Sequence, residues 1–432
     1  MKSIKIIFLV SGLALLCACG SKTSTKQSDT VMSMQIIDRN GFTETISNKD
    51  RLSSFETTDF LTPQPFQKVL RVYSKASSGQ TMSKITSYHD NGQLWQYLEA
   101  VDGRAHGIYR EWFSNGQQKV EATLIEGVAD IHDLAQSTWV FHGHCKVWDD
   151  EGSLMAEFDY EKGLLHQTAR YFFPGGNLEK MIPYTQGEID GTVQVFDENG
   201  FMVEEIPYVK GEKHGKAVAF WKPEQLLSKE VFDQGRLVEA SYFDISGASS
   251  AEVKNGHGKQ AQFQEERLNA LYSVENGLIE GEVQLFNATG GLHCSYFLKD
   301  GKKHGEEWEY YFSAKGEDLK PKLCVHWNED KIQGQVKTWY PNGKMESQRE
   351  INNNKKQGIA FSWYKNGDMM LVEEYESELL IKGSYFKPGD KHPVSKIESG
   401  KGTATLYTSD GFFLKKIPYE KGRPQQNHAD LR

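Results

Sequence analysis

The sequence is short of several things, and each shortage removes a class of function. Cysteine is rare, five in 432 residues. Cys145, Cys294 and Cys324, the three beyond the first twenty residues, are far apart and odd in number, so neither a disulfide framework nor a CxxC site is present. Read as small apolar strand residues, they need no further role. Lys and Arg form no block longer than a pair, and the formal charge is −9. A nucleic-acid-binding face would be basic, so nucleic acid is not expected as a partner. No G-x-S-x-G, P-loop or H-E-x-x-H occurs. Gly256-His257-Gly258 looks like the start of a dinucleotide fingerprint, but strand-like sequence follows it where a helix is required. Proline is scarce at 12, whereas glycine reaches 40 beside 23 Phe, 19 Tyr and 9 Trp. That mixture excludes disorder and suits many short strands joined by glycine turns.

Long apolar runs are also missing, with one exception at the start. Ile6–Leu16 is eleven residues, too short to cross a bilayer as a normal helix, and Lys2 and Lys5 precede it. Leu16-Cys17-Ala18-Cys19-Gly20 follows and resembles the lipobox of bacterial lipoproteins. The resemblance implies cleavage after Ala18 and acylation, palmitate included, on Cys19. It places the protein in the bacterial cell envelope, on the outer membrane or a periplasm-facing membrane. Residues 21–35, SKTSTKQSDTVMSMQ, are polar and read as a flexible tether.

What the sequence does contain is self-similarity. Five residues after Gly107 comes Trp112, and nine after it Gly116. The same offsets relate Gly143, Trp148 and Gly152; Gly191, Phe196 and Gly200; Gly281, Phe286 and Gly290. They recur at Gly334, Trp339 and Gly343; Gly358, Trp363 and Gly367; Gly402, Tyr407 and Gly411. Weaker copies begin at Gln167, Gly215 and Gly258, and a copy from Gly305 to Phe312 reads as two residues longer. A second ladder, Gly163, Gly187, Gly211 and Gly235, has a period of 24 residues. Such periodicity marks a repeat architecture.

Each unit reads as a β-hairpin. The turn ends in Gly, often after Asn, as in SNG at 114–116 and PNG at 341–343. Two residues later stands an apolar side chain such as Leu94, Met202, Met345 or Met369. A three-residue loop with Gly in the left-handed conformation and a bulge pairs the ring position with this apolar one, so both face the same side. We expect them to form one buried row. The opposite turn, KGEKHG at 210–215, is charged and reads as longer and solvated. Breaks in the period near 128–140, 236–256 and 377–400 read as surface loops or irregular units.

These units resemble MORN repeats of the bacterial variant type, from about residue 84 to 422. The resemblance implies scaffolding, contact with proteins or lipids, and for some members an antitoxin role. It carries no catalytic residue. The expected fold is all-β, an elongated single-layer meander of repeated hairpins. The expected organisation is leader 1–18, tether 19–35, lead-in 36–83, repeat array 84–422 and tail 423–432.

The remaining motifs give way to plainer readings. His106, His142, His214, His257 and His304 each precede a repeat glycine, one per unit, and belong to polar turns. His142-Gly143-His144-Cys145, with His132 and Asp133 upstream, supplies too few assured ligands for zinc, so no metal is expected. Glu204-Glu205 and Glu373-Glu374 read as solvated faces. Trp112, Trp148, Trp339 and Trp363 read as packing, with a ligand-stacking platform as the alternative. We therefore expect a non-enzymatic, lipid-anchored protein without cofactor, presenting a β surface to a protein partner, with no small-molecule ligand. The alternatives are an antitoxin or immunity protein and a glycan-binding or glycan-processing protein.

Overall fold

A computed structural model describes residues 30–55, 59, 61–63 and 67–425. The leader and Cys19 lie outside these residues. The protein is all-β; among the described residues the only helices are Lys49–Ser53 and Asp133–Gln136. The chain forms two units, Met1–His142 and Gly143–Arg432.

In the first unit, strand Thr30–Asp38 lies between Thr43–Ile46 and Gln67–Lys75, all antiparallel. Residues 30–35 of the expected tether thus belong to a strand, and much of the lead-in 36–83 joins the sheet. Strands Thr81–Tyr88, Leu94–Val101, Arg104–Trp112 and Gln118–Glu126 continue the meander. In the second unit every strand from Gly143–Trp148 to Arg423–Pro424 pairs with chain neighbours. Among the described residues its first and last strands do not pair, so this meander stays open.

The SNG-type turn has the expected geometry. Gly116 donates its N–H to the Phe113 carbonyl at 2.9 Å, and Phe113 donates to the Gln117 carbonyl at 2.8 Å. Gly116 has φ 89°, and Trp112 pairs with Gln118 across a bulge. Trp339–Met345 and Trp363–Met369 repeat this register. Gly305 conforms too: its fifth residue, Tyr310, pairs with Pro321, and the extra residues fall in the loop rather than in the strand.

The opposite turn is the reverse of the long one expected. Lys210 and Gly211 both have positive φ (50° and 82°), and Val209 pairs with Glu212. This is a two-residue type I′ turn, whose twist matches that of the strands it joins. Gly187 donates to the Leu165 carbonyl at 2.8 Å and Gly211 to the Ile189 carbonyl at 2.7 Å, so successive turns are tied by main-chain hydrogen bonds. The first glycine of each unit marks a bulge beyond this turn. At Gly191, φ 125°, a Cβ would press on the Pro183 ring.

Alternation gives the sheet two different faces. On one lie Gly191 and Val193, opposite Tyr208 and Ile206; Gly215, Gly358 and Gly402 likewise face Phe232, Tyr375 and Tyr419. Cys145, Ala169, Val193, Ala217 and Val283 are buried here. The Trp112-type rings lie on the other face and are only half-buried. The single buried row of rings is thus corrected. Small residues make the most buried row, with Val193 opposite Ile206 and Ala404 opposite Ile417 on the same face.

The breaks in the period are built in. Residues 236–256 and 377–400 contain ordinary strands, Arg236–Phe243 and Ser249–Lys254, Leu379–Tyr385 and Ser395–Glu398. The middle strands are short and the turns draw together. Gly277 donates to Gly256 and accepts from Leu237, at 2.9 and 3.0 Å. Gly422 does the same with Gly400 and Leu380, at 2.8 and 3.1 Å. Each curl encloses a cluster, around Tyr242 and Val253 in one and Tyr385 and Ile397 in the other. In the first unit, segment 128–140 folds back over the glycine face. Arg71 donates to both Asp130 oxygens, at 2.9 and 3.0 Å, and Trp139 packs on Tyr109 with ring centroids 4.7 Å apart. With Ile131 it covers Leu98, Ala105 and Leu124, so the segment's inner side is core while Val128 and Leu134 stay exposed.

Candidate interaction surface

The half-buried rings make up the candidate surface. In the second unit Trp308 stacks on Trp339, centroids 5.5 Å apart and planes at 27°, and Phe361 stacks on Trp363 at 5.9 Å and 21°. At these positions the ring face carries stacked pairs that are half-buried, with their remaining surface in solvent.

Residues that the repeat pattern did not single out hold these rings in register. Tyr311 donates its hydroxyl to the Trp339 carbonyl at 2.7 Å, Tyr340 to Trp363 at 2.7 Å and Tyr364 to Phe386 at 2.6 Å. The turn asparagines add a second tie. Asn342 accepts from the Lys344 N–H at 3.0 Å and donates to the Lys365 carbonyl of the next turn at 2.9 Å. The recurrence of Tyr directly after the ring, at 311, 340 and 364, was the available signal.

The candidate chemical groups are committed locally. His144 faces Asp159 at 3.1 Å and Glu157 at 3.7 Å. His132 caps helix Asp133–Gln136, its Nδ1 accepting from the Ala135 N–H at 3.2 Å. His106 meets the Ile125 carbonyl at 3.0 Å, His214 meets Asp233 at 3.4 Å and His257 meets Glu275 at 3.5 Å. Among the described residues no three His, Cys, Asp or Glu side chains are grouped to hold a metal. Cys145, Cys294 and Cys324 are buried and unbridged. Burial pushes the Cys145 thiol up to about 11, and burial together with Glu307 pushes Cys294 to about 12.

One carboxylate pair departs from the solvated-face reading. Glu374 is exposed and paired with Lys382 at 2.9 Å. Glu373, in contrast, accepts hydroxyls from Tyr375 at 2.9 Å and from buried Tyr385 at 2.7 Å. Glu230 accepts from buried Tyr242 at 2.5 Å in the same way. Desolvation, reinforced by these carboxylates, raises both buried tyrosines far above their ordinary range. Buried Glu307 is held by Lys303 at 2.7 Å and the Trp327 indole at 2.6 Å.

The first unit adds a groove of about 410 Å³, bounded by Lys68, Ser87, Trp95, Gln96, Asp130 and His132. Trp95 is 41% exposed and stacks on His89 at 5.4 Å. Ser87 donates to the Gln96 side-chain oxygen at 3.0 Å on its floor. The groove sets a flat ring beside amide, hydroxyl and carboxylate groups, with Val69, Tyr88 and Ile131 also in its lining.

Comparison with known proteins gives one family match. No curated protein matches the chain. A solved structure to which it is similar is the Photorhabdus luminescens Tc holotoxin pore, at 11% identity and a TM-score of 0.12, over 84% of this chain and 26% of that one. The chain thus spans about a quarter of that protein's length. Residues 332–353 match the MORN repeat variant model, and strands Lys331–Trp339 and Met345–Asn352 form the hairpin that this match covers.

Proposed function

We propose that this protein is a non-enzymatic, lipid-anchored component of the bacterial envelope whose repeat sheet docks a protein partner. The observation that carries the reading is the half-buried ring face. Its stacked pairs are held by main-chain ties, so a rigid aromatic surface is held ready at little ordering cost on binding. The reading takes Cys19 as the acylated residue. Replacing it, Cys19→Ala, is expected to move the protein from the membrane to the soluble fraction; retention on membranes would refute the anchor. Affinity purification from envelope extracts, with the chain and a Trp339→Ala/Trp363→Ala variant side by side, tests the surface. The expected result is a partner recovered with the former and depleted with the latter. If that partner is a toxin inhibited by the chain, the role is immunity.

A glycan-binding reading is favoured by one observation, the exposed Trp95 beside the polar groove. It predicts retention on peptidoglycan or polysaccharide that Trp95→Ala removes.

A further inference from the structure

In three of the full repeat copies the third residue after the first glycine is a cation. Arg110 follows Gly107 and lies opposite Glu121, whose carboxylate it meets at 2.7 Å. Lys146 follows Gly143 and lies opposite Glu157, which it meets at 3.4 Å. Lys337 holds the same place after Gly334. It is half-buried on the ring face, with Gln348 opposite it on one side and Cys324 on the other. Neither is an acid, and Lys337 is in no ion pair among the described residues.

The surroundings leave room for the missing carboxylate. Cys324 is buried and short, and a depression of about 500 Å³ opens over it, lined also by His304, Glu306, His326, Gln335 and Lys337. Strands Gly305–Tyr310, Pro321–Asn328 and Lys331–Trp339 beneath it are each paired on both edges, so the depression belongs to a sheet face and not to an unpaired strand. Its own acid, Glu306, accepts the Trp308 indole N–H at 3.0 Å and is not paired with Lys337. Trp308 lies directly opposite Cys324 and stacks on Trp339, two residues beyond Lys337. A half-buried ammonium thus stands beside a pair of indoles. We propose that this depression receives an acidic side chain of a protein partner, its carboxylate on the Lys337 ammonium and an adjoining aromatic ring on the Trp308–Trp339 stack. A partner that closes over the ammonium makes a charge-assisted bond and shields it from water, which strengthens it. Glu121 and Glu157 fill the same role from within the chain in the other two copies. The inference rests on the docking role proposed above and gives it one site and one partner chemistry.

The probes are acetyl-Asp-Phe-amide and acetyl-Asn-Phe-amide, which share ring and backbone and differ in charge. Titrated into the full chain and followed by calorimetry, the acid is expected to bind roughly tenfold more tightly than the amide. Lys337→Gln should remove that difference and leave the affinity for the amide unchanged, and Lys337→Arg should keep it. A carbodiimide should couple the acid peptide to Lys337 ahead of the other lysines, read by peptide mass mapping. Equal binding of the two peptides, a difference that survives Lys337→Gln, or coupling spread evenly over the lysines would overturn the proposal. So would displacement of the acid peptide by equimolar acetate, which would make this a simple anion site. Equal binding that Trp339→Ala weakens would remove the carboxylate site and leave the docking face standing. If neither peptide binds, the inference falls, and the docking role is judged by the purification described above.

Discussion

At the scale of single residues, two kinds of glycine do different work. Gly301 has φ 72° and open space where a Cβ would stand, so Gly301→Ala meets only the left-handed backbone penalty, about 1–2 kcal/mol. Gly258 has φ 147°, and a Cβ there would lie within the Glu252 carbonyl and 2.9 Å from the Val253 Cα. Backbone cannot step aside as a side-chain tip can, so Gly258→Ala should cost clearly more, and urea melts of the two variants should rank them in that order. The same scale governs the thiols. Cys145 and Cys324 are both pushed to about 11 by burial, so almost no thiolate is present at pH 8. Alkylation by iodoacetamide should be slow in the native chain and fast in denaturant; rapid native labelling would contradict this burial.

At the scale of the hairpin, turn chemistry sets register and the rings set strength. In the Gly258 unit the ring-end turn after Phe263 shortens to two residues, and Glu265 and Glu266 stand in it at φ 48° and 62°. Relieving one strained residue by Glu266→Gly should raise stability by up to about 1 kcal/mol, read as a higher denaturation midpoint. Trp339 is half-buried and loses its stacking on Trp308 when truncated. Trp339→Ala should therefore cost about 2 kcal/mol, less than a fully buried ring would. The register of the ring hairpins was legible, because offsets of five and nine residues specify both strands and the loop between them. The tight opposite turn was not. In KGEKHG a two-residue turn, a short bridge and a bulge run together, and only the backbone angles separate them.

At the scale of the molecule, each unit joins locally tied hairpins to a few enclosed clusters. Leu380→Ala removes a fully buried side chain from the curl around Tyr385, and a loss of about 2–5 kcal/mol is expected. Hydrogen exchange should quicken most over residues 371–419, and an equal change throughout the second unit would oppose nearest-neighbour stability. High pH should act more widely. Tyr340 and Tyr364 are raised from 10.0 to about 12, mainly by burial, and Cys145 from 9.0 to about 11. These groups hold their protons longer when folded than when unfolded. The folded state thus binds more protons from pH 9 upward, and stability falls as pH rises from there through about 12. Denaturation midpoints measured between pH 8 and pH 12 should decline, whereas a flat profile would mean these groups titrate as if exposed.

The sequence by itself determined the hairpins, their aromatic positions and the left-handed glycine turns. All of these follow from contacts within about ten residues, where spacing and allowed φ angles leave few choices. Only the tertiary structure decided which face is the more buried, that segment 128–140 is folded onto the first unit, and that 236–256 and 377–400 curl the second. Those outcomes depend on distant partners, such as Arg71 with Asp130 or Leu237 with Gly277, whose meeting leaves no mark in local periodicity. Burial is settled by whatever covers a strand, and the cover comes from elsewhere in the chain.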